Sequence, residues 1–442
     1  MKRWLLGGAA VVVVALLAVG AAWYLHVKHA GRDIHGSSTV EFVPTPPPPK
    51  PKEAGVVWPM YGYDPQRLRV ATGISVAPPF RRAWTFRARS LIEFPPVVAY
   101  GRLFFANNSG VLFAINAKTG KPAWKYQSKR CQAMSPAVDF HTVYATFLNH
   151  PPCNASGRHQ GQLAALWAGS GKVRWRKTIG PSESSPLLRG KVVYVGDWDG
   201  DVSAYSATTG RRWWTFHAGG QVKGGLAYAD GRVYFGAYDS HVYALDADTG
   251  KLVWKAKAQP RFGHTGTFYA TPAVAYGRVY IGSTDGKMYS FGASTGKIRW
   301  SHSTGDYVYS SPAVWRRRVY IGSYDGTFYC YDAATGDVKW KFRANGQISG
   351  SPTVLAGRVY FATLKGRTYA LNALTGRQLW TYPDGKYTPV VADDTHLFLV
   401  GYAKVYGLQE RRSVPSKHAV RRHGRSRVHR VAPRRSAHKR RP

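Results

Sequence analysis

The chain has 442 residues, of which 44% are hydrophobic and 14% aromatic, with 15 Trp and 28 Tyr; this excludes a disordered polypeptide and favours strands. Its formal charge of +39 is spread widely: +13 lies in the segment from Arg411 and +3 in residues 1 to 53, leaving +23 on a body whose field favours anionic partners. Only Cys131, Cys153 and Cys330 occur, which excludes a disulfide-dense scaffold, a CxxC metal pair and a lipid-modified cysteine just behind a leader.

Lys2 and Arg3 precede an almost uncharged apolar run from Trp4 to Leu25, long enough to cross a bilayer. Residues 1–30 are read as a transmembrane signal anchor. A cleaved leader is the alternative, but its apolar stretch spans only about 7 to 15 residues. The flanking charges nearly balance and barely fix the orientation. A single pass in the cell membrane with an extracytoplasmic body is preferred, an arrangement that allows Cys131 and Cys153 to pair. Residues 31–56 turn polar and proline-rich, with Pro44, Pro46 to Pro49 and Pro51 beside Lys50 and Lys52. That composition predicts an extended spacer of about 3.1 Å per residue, ranked above a ligand for a proline-recognising module.

Residues 57–410 carry a repeat. Its clearest copy runs Thr271-Pro272-Ala273-Val274, Gly277-Arg278-Val279-Tyr280-Ile281-Gly282, Asp285-Gly286-Lys287-Met288-Tyr289 and Thr295-Gly296-Lys297-Ile298-Arg299-Trp300. Ser/Thr-Pro opens a short strand, where the missing amide of proline is harmless. Gly-Arg marks a turn, Val-Tyr-Ile alternates as a strand, and Asp-Gly supplies the left-handed turn of a hairpin. A third strand, a Thr-Gly-Lys turn and a fourth strand holding Trp complete a four-stranded unit, which is one propeller blade.

Opening strands fall at Pro95, Pro136, Pro186, Gly225, Pro272, Pro312, Pro352 and Pro389, giving eight units. Tryptophans follow at Trp124, Trp175, Trp214, Trp254, Trp300, Trp340 and Trp380, and the eighth, Trp84, precedes the first unit. An all-β, eight-bladed propeller follows, in which the strand around Trp84 completes the blade begun by residues 388–408 and removes the open sheet edges. These eight indoles are read as docking groups between blades, not as a cofactor cage.

Residues 411–442, with Arg421-Arg422, Arg425 to Arg430 and Lys439-Arg440-Arg441, lack apolar periodicity and read as a disordered polybasic tail. It either solubilises the chain or straps it to wall polymer, anionic lipid or nucleic acid, with about 1 kcal/mol per basic residue near an anionic membrane.

The units resemble the PQQ-like (pyrroloquinoline quinone-like) repeats of quinoprotein dehydrogenases and of the lipoprotein of the outer-membrane barrel-assembly machine. The tryptophan-docking motif of that family stands complete from Ala244 to Trp254, with Asp246, Thr249, Gly250 and Lys251 in place. The resemblance covers residues 84–408 and implies a fold; fold does not fix activity. By resemblance, a dehydrogenase would bind PQQ with calcium, use an aspartate base and stack the quinone beneath a disulfide of adjacent cysteines. Here no two cysteines adjoin, and most aspartates are explained as turn formers. The residual cofactor-binding candidate is Asp197-Trp198-Asp199, which a decorated turn explains more cheaply. No catalytic residue, metal site or cofactor is assigned.

The loops between blades and the hairpins between second and third strands emerge on one face. There the sequence places Trp198, Tyr238, Tyr324, Phe268 and Tyr269 beside Lys129, Arg130, Lys177, Lys223 and Arg261, aromatics and cations suited to peptides, sugars and polyanions. The reading is a non-catalytic, membrane-anchored envelope protein whose propeller binds proteins or polymers. A PQQ-dependent dehydrogenase and a polyanion binder are the alternatives.

Overall fold

The computed structural model describes residues 14–21, 31–44, 53–153, 160–260, 265–387 and 390–411. Eight antiparallel four-stranded blades, numbered in chain order, are present among them: 97–127, 137–179, 187–217, 227–257, 273–303, 313–343, 353–382, and 391–410 completed by Phe80–Arg87. That last strand pairs antiparallel with Lys404–Glu410, placing Trp84 opposite Gly407. The ring is thus closed by the start of the body, as the count of tryptophans predicts.

Burial follows from the packing of blade on blade. In blade 5 the three inner strands are buried throughout, because both of their faces meet neighbouring blades, whereas the outer strand Ile298–Ser303 is only partly covered. Outer strands such as Val338–Arg343 alternate, with Trp340 and Phe342 turned inward and Lys339, Lys341 and Arg343 outward. The hydrophobic core is accordingly divided into clusters shared by adjacent blades, such as Val274, Ile281 and Tyr289 with Tyr234 and Val242.

Strand direction defines two faces. The upper face carries the connections between blades and the second-to-third hairpins; the lower face carries the remaining turns. Those lower turns dock the blades. Trp300 Nε1 donates to Ala333 O at 2.9 Å, and six more indoles, Trp84, Trp124, Trp175, Trp214, Trp254 and Trp340, make the same bond to the next blade. Each ring lies against the glycine of the next Thr-Gly or Ser-Gly turn: a Cβ on Gly250, at φ +73°, would sit 2.6 Å from Trp214. Trp380 instead packs edge-on against Phe80, since the chain supplies no such turn in blade 8.

Three features go beyond the repeat. First, residues 56–71 fill the axis of the ring. Val56–Trp58 adds a fifth strand to blade 1, and Val70–Ala71 adds a parallel one to blade 7. Between them the carbonyls of Pro59, Pro65, Gln66, Leu68 and Arg69 accept the amides of Val138, Tyr228, Val274, Val314 and Val354, each the second residue of an inner strand. These inner edges need acceptors on the axis, and the plug provides them. Arg67, with no exposed surface, donates to the carbonyls of Tyr61, Leu226, Ser185 and Pro186.

Second, residues 31–44, read above as the beginning of a spacer, are held on blades 5 and 6. Ile34 bridges Ser301, Gly36 N donates to Thr335 O at 2.8 Å, and Val43 N donates to Tyr276 O at 3.0 Å. Asp33 accepts from Ser303, and Glu41 pairs with Arg299. Two acids set among basic residues meet partners on the blade surface, which composition alone did not reveal. Of the proline run, residues 45–52 lie outside the described residues.

Third, residues 14–21 are helical, and among the described residues no helix is long and apolar enough to cross a membrane. The span expected from Trp4 to Leu25 is therefore not seen as such; most of it, residues 4–13 and 22–25, lies outside the described residues, as do Arg261, Pro389 and the tail from 412.

Candidate binding site

The upper end of the axis is a shallow funnel built from one repeat position. Four residues before each inner strand begins stand Glu93, Ala133, Glu183, Lys223, Tyr269, Tyr309, Ser349 and Tyr387, in blade order. All but Ala133 line the funnel. Two residues further on, the Ser/Thr of the opening motif links the blades beneath it. Thr271 N donates to Ser311 Oγ and Ser311 N to Ser351 Oγ, both at 2.9 Å. The hydroxyl of the Ser/Thr-Pro pair thus has a role that the strand-opening argument missed.

Tyr61, at the tip of the plug, floors the funnel. Its hydroxyl lies 2.8 Å from Ser351 Oγ, and the Arg69 guanidinium sits over its ring at 4.5 Å. The plug separates this funnel from the lower face.

The walls combine charge and aromatic faces. The Lys223 ammonium lies 4.3 Å from the Trp198 ring and 4.9 Å from the Tyr238 ring. Burial pushes the Glu183 carboxyl up to about 7, while Lys223 and the Tyr269 hydroxyl pull it down and Glu93 pushes it further up. Glu93 is raised by burial too. Tyr309 meets Tyr269 at 5.5 Å, Tyr307 at 5.7 Å and Tyr324 at 4.9 Å, a continuous tyrosine wall.

The other sequence candidates fall as follows. Asp197 is buried and accepts three amides, from Gly180, Asp199 and Asp201, with its carboxyl pushed up to about 6 by burial. Asp197 and Asp199 form the turn of blade 3, and only Trp198 of the three borders the funnel group. Lys129 and Arg130 lie on the upper face between blades 1 and 2. Cys131 and Cys153 are bonded, with Cα atoms 5.5 Å apart, tying that connection to the hairpin of blade 2. Two expectations need correction. Phe268 is wholly buried between blades 4 and 5, and Lys177 sits on an outer strand with its side chain against Gly210. The sequence reading also overlooked Tyr61, Glu93, Glu183, Tyr309 and Tyr387 as a group; aligning the repeats four residues before each inner strand finds all but Tyr61.

The funnel encloses about 50 Å³ of free space, far below the ~300 Å³ at which ordinary cofactor sites begin. Among the described residues its charged lining is Glu93, Glu183 and Lys223, which repel a tricyclic quinone bearing three carboxylates more than they hold it. Among the described residues no three His, Cys, Asp or Glu side chains are grouped to hold a metal. PQQ with calcium therefore does not fit the residues present.

Geometry thus defines a plugged eight-bladed propeller with a shallow, aromatic funnel on its upper face. Residues 81–189, 152–221, 198–313 and 303–437 match the family described as outer membrane protein assembly factor BamB. The chain belongs to that family of PQQ-like propellers.

Among curated relatives, tetrathionate hydrolase of Acidithiobacillus ferrooxidans is 26% identical over 41% of this chain and 40% of its own length. The dehydrogenase subunit of quinone alcohol dehydrogenase from Gluconobacter oxydans is 31% identical over 22% of this chain and 14% of its own. Outer membrane protein assembly factor BamB of Burkholderia pseudomallei is 27% identical over 37% and 42%. The chain therefore spans less than half the length of each of these relatives. BamB from Moraxella catarrhalis superposes with a TM-score of 0.60 at 19% identity, covering 75% of this chain and 99% of that one. Quinohemoprotein alcohol dehydrogenase from Comamonas testosteroni gives 0.66 at 15% identity, covering 80% of each. These two likenesses speak for the fold.

Proposed function

We propose that this protein is a non-catalytic scaffold of the cell envelope that binds a partner protein through its upper face. One observation carries the reading: the axis is filled by the chain's own residues 56–71, so the upper face offers a shallow aromatic surface rather than a reaction chamber. Kinship with assembly factors of the outer membrane supports a protein partner of the envelope. Membrane attachment through residues 1–30, with the propeller on the extracytoplasmic side, and polyanion attachment through the tail belong to the same proposal. They rest on the apolar run from Trp4 and on the 13 basic residues from Arg411. Wall polymer and anionic lipid suit that tail in an envelope; nucleic acid suits its charge alone.

Photoreactive residues placed at Tyr238 and Tyr324 on the upper face, and at Thr209 and Lys251 on the lower, test the reading in intact cells. Discrete adducts from the upper positions alone are expected. Adducts from the lower positions alone would sink it.

A further inference from the structure

The formal charge of +39 makes any buried acid on this molecule conspicuous, and the chain has five glutamates: Glu41, Glu53, Glu93, Glu183 and Glu410. Two of the five line the axial funnel. Burying a carboxylate is costly unless a cation or several donors face it. Glu183 has Lys223 and Tyr269, but Lys223 also stacks on Trp198 and Tyr238. Among the described residues Glu93 has only the Asn108 amide, 3.5 Å away at the outer limit of a hydrogen bond. Turned the other way, that amide donates to the carbonyls of Leu91 and Gln132 at 3.2 Å and leaves Glu93 still less satisfied. Among the described lining residues one ammonium faces two carboxyls, so a further cation entering between them would draw both into the ionised form.

Around those carboxylates stand the rings of Tyr269, Tyr309 and Tyr387, whose faces attract cations. The free space of about 50 Å³ suits a small planar head. A planar guanidinium stacks on tyrosine and bridges carboxylates, which a compact ammonium does less well. The surrounding protein is basic and repels free cations at long range. That repulsion lowers the affinity of any free cation but leaves the funnel's preference for a guanidinium over a neutral head of the same shape.

We infer that the axial funnel is a receptor for an arginine side chain presented by a partner protein, its guanidinium held between Glu93 and Glu183 and against the tyrosine wall. The inference rests on the upper face being the binding face and names what that face recognises. Contact in a desolvated funnel is weakly screened, whereas repulsion from the basic body is strongly screened, so affinity holds or rises with salt.

The test titrates the full-length protein with acetyl-Gly-Arg-Gly-amide and with its neutral citrulline analogue, between about 50 and about 300 mM salt. The arginine peptide is expected to bind at least about tenfold tighter than the citrulline peptide. The double variant Glu93→Gln/Glu183→Gln should erase that preference while circular dichroism stays unchanged. Should the double variant fail to fold, Glu93→Gln alone, at the less satisfied carboxylate, is expected to cut the preference severalfold. Equal binding of the two peptides, an undiminished preference in the folded variant, or arginine binding that collapses with salt would overturn the inference. If the peptides fail while upper-face adducts at Tyr238 and Tyr324 persist, arginine recognition falls and the binding face stands. If upper-face adducts are absent as well, both fall.

Discussion

At five of the interfaces the docking carbonyl accepts both an indole and a tyrosine hydroxyl, and that makes a quantitative prediction. Ala333 O accepts both Trp300 Nε1 and Tyr280 Oη, each at 2.9 Å, and Ala333 has no exposed surface. Tyr280→Phe removes one of two donors and should cost about 0.5 to 1.5 kcal/mol. Trp300→Phe removes the other and leaves a small void, about 1 to 3 kcal/mol by comparison with larger truncations. In either single variant the carbonyl keeps a partner. In the double variant it keeps none, and an unsatisfied buried carbonyl costs about 1 to 3 kcal/mol more. Equilibrium urea unfolding of the four proteins, followed by far-ultraviolet circular dichroism, should therefore give a double variant less stable than the sum of the singles by that margin. Additivity within about 0.5 kcal/mol would refute the shared-acceptor argument. Trp84 supplies a contrast: its ring packs on Phe398, which has no hydroxyl, so Trp84→Phe alone strips the side-chain donor from Ala117 O.

Arg67→Met should destabilise the chain by about 1 to 3 kcal/mol for each carbonyl around that buried guanidinium left without a donor; urea unfolding measures it. Glu183, raised to about 7 from 4.5, keeps in the folded chain a proton that the unfolded chain releases between those values. Its contribution to stability thus falls as pH rises from 4.5 to about 7. Glu183→Gln, neutral throughout, should melt progressively higher relative to the parent across that window, and a constant difference would contradict the burial argument. Replacing Cys131 and Cys153 by Ser opens a loop with a sequence separation of 22. A loss of about 3 kcal/mol on the chain-entropy account is expected in chemical unfolding.

The repeat was legible because its signals are local. Thr249-Gly250-Lys251 and Trp254 lie within one hairpin, and Gly250 needs positive φ whatever blade follows. The closing strand was legible because the number of tryptophans demanded Trp84. The plug was not, since Pro59, Tyr61, Arg67 and Arg69 have no periodicity and find their partners at blades up to about 290 residues away. Tyr63, Arg67 and Arg69 even hold positive φ without being glycine, a conformation that tertiary contacts impose. The funnel stood between these cases. Glu93 and Glu183 were visible as rare acids, but only the fold brings one residue per blade to the axis and turns a repeat position into a site.

Amide hydrogen exchange at Val138, Tyr228, Val274, Val314 and Val354 tests the filled axis most directly, because each of these amides has a plug carbonyl as its acceptor. Protection equal to that of the buried second strands, lost only in global unfolding, is the predicted result. Rapid exchange at these five, with the rest of the blades protected, would mean an open axis and would remove the ground for a shallow binding face.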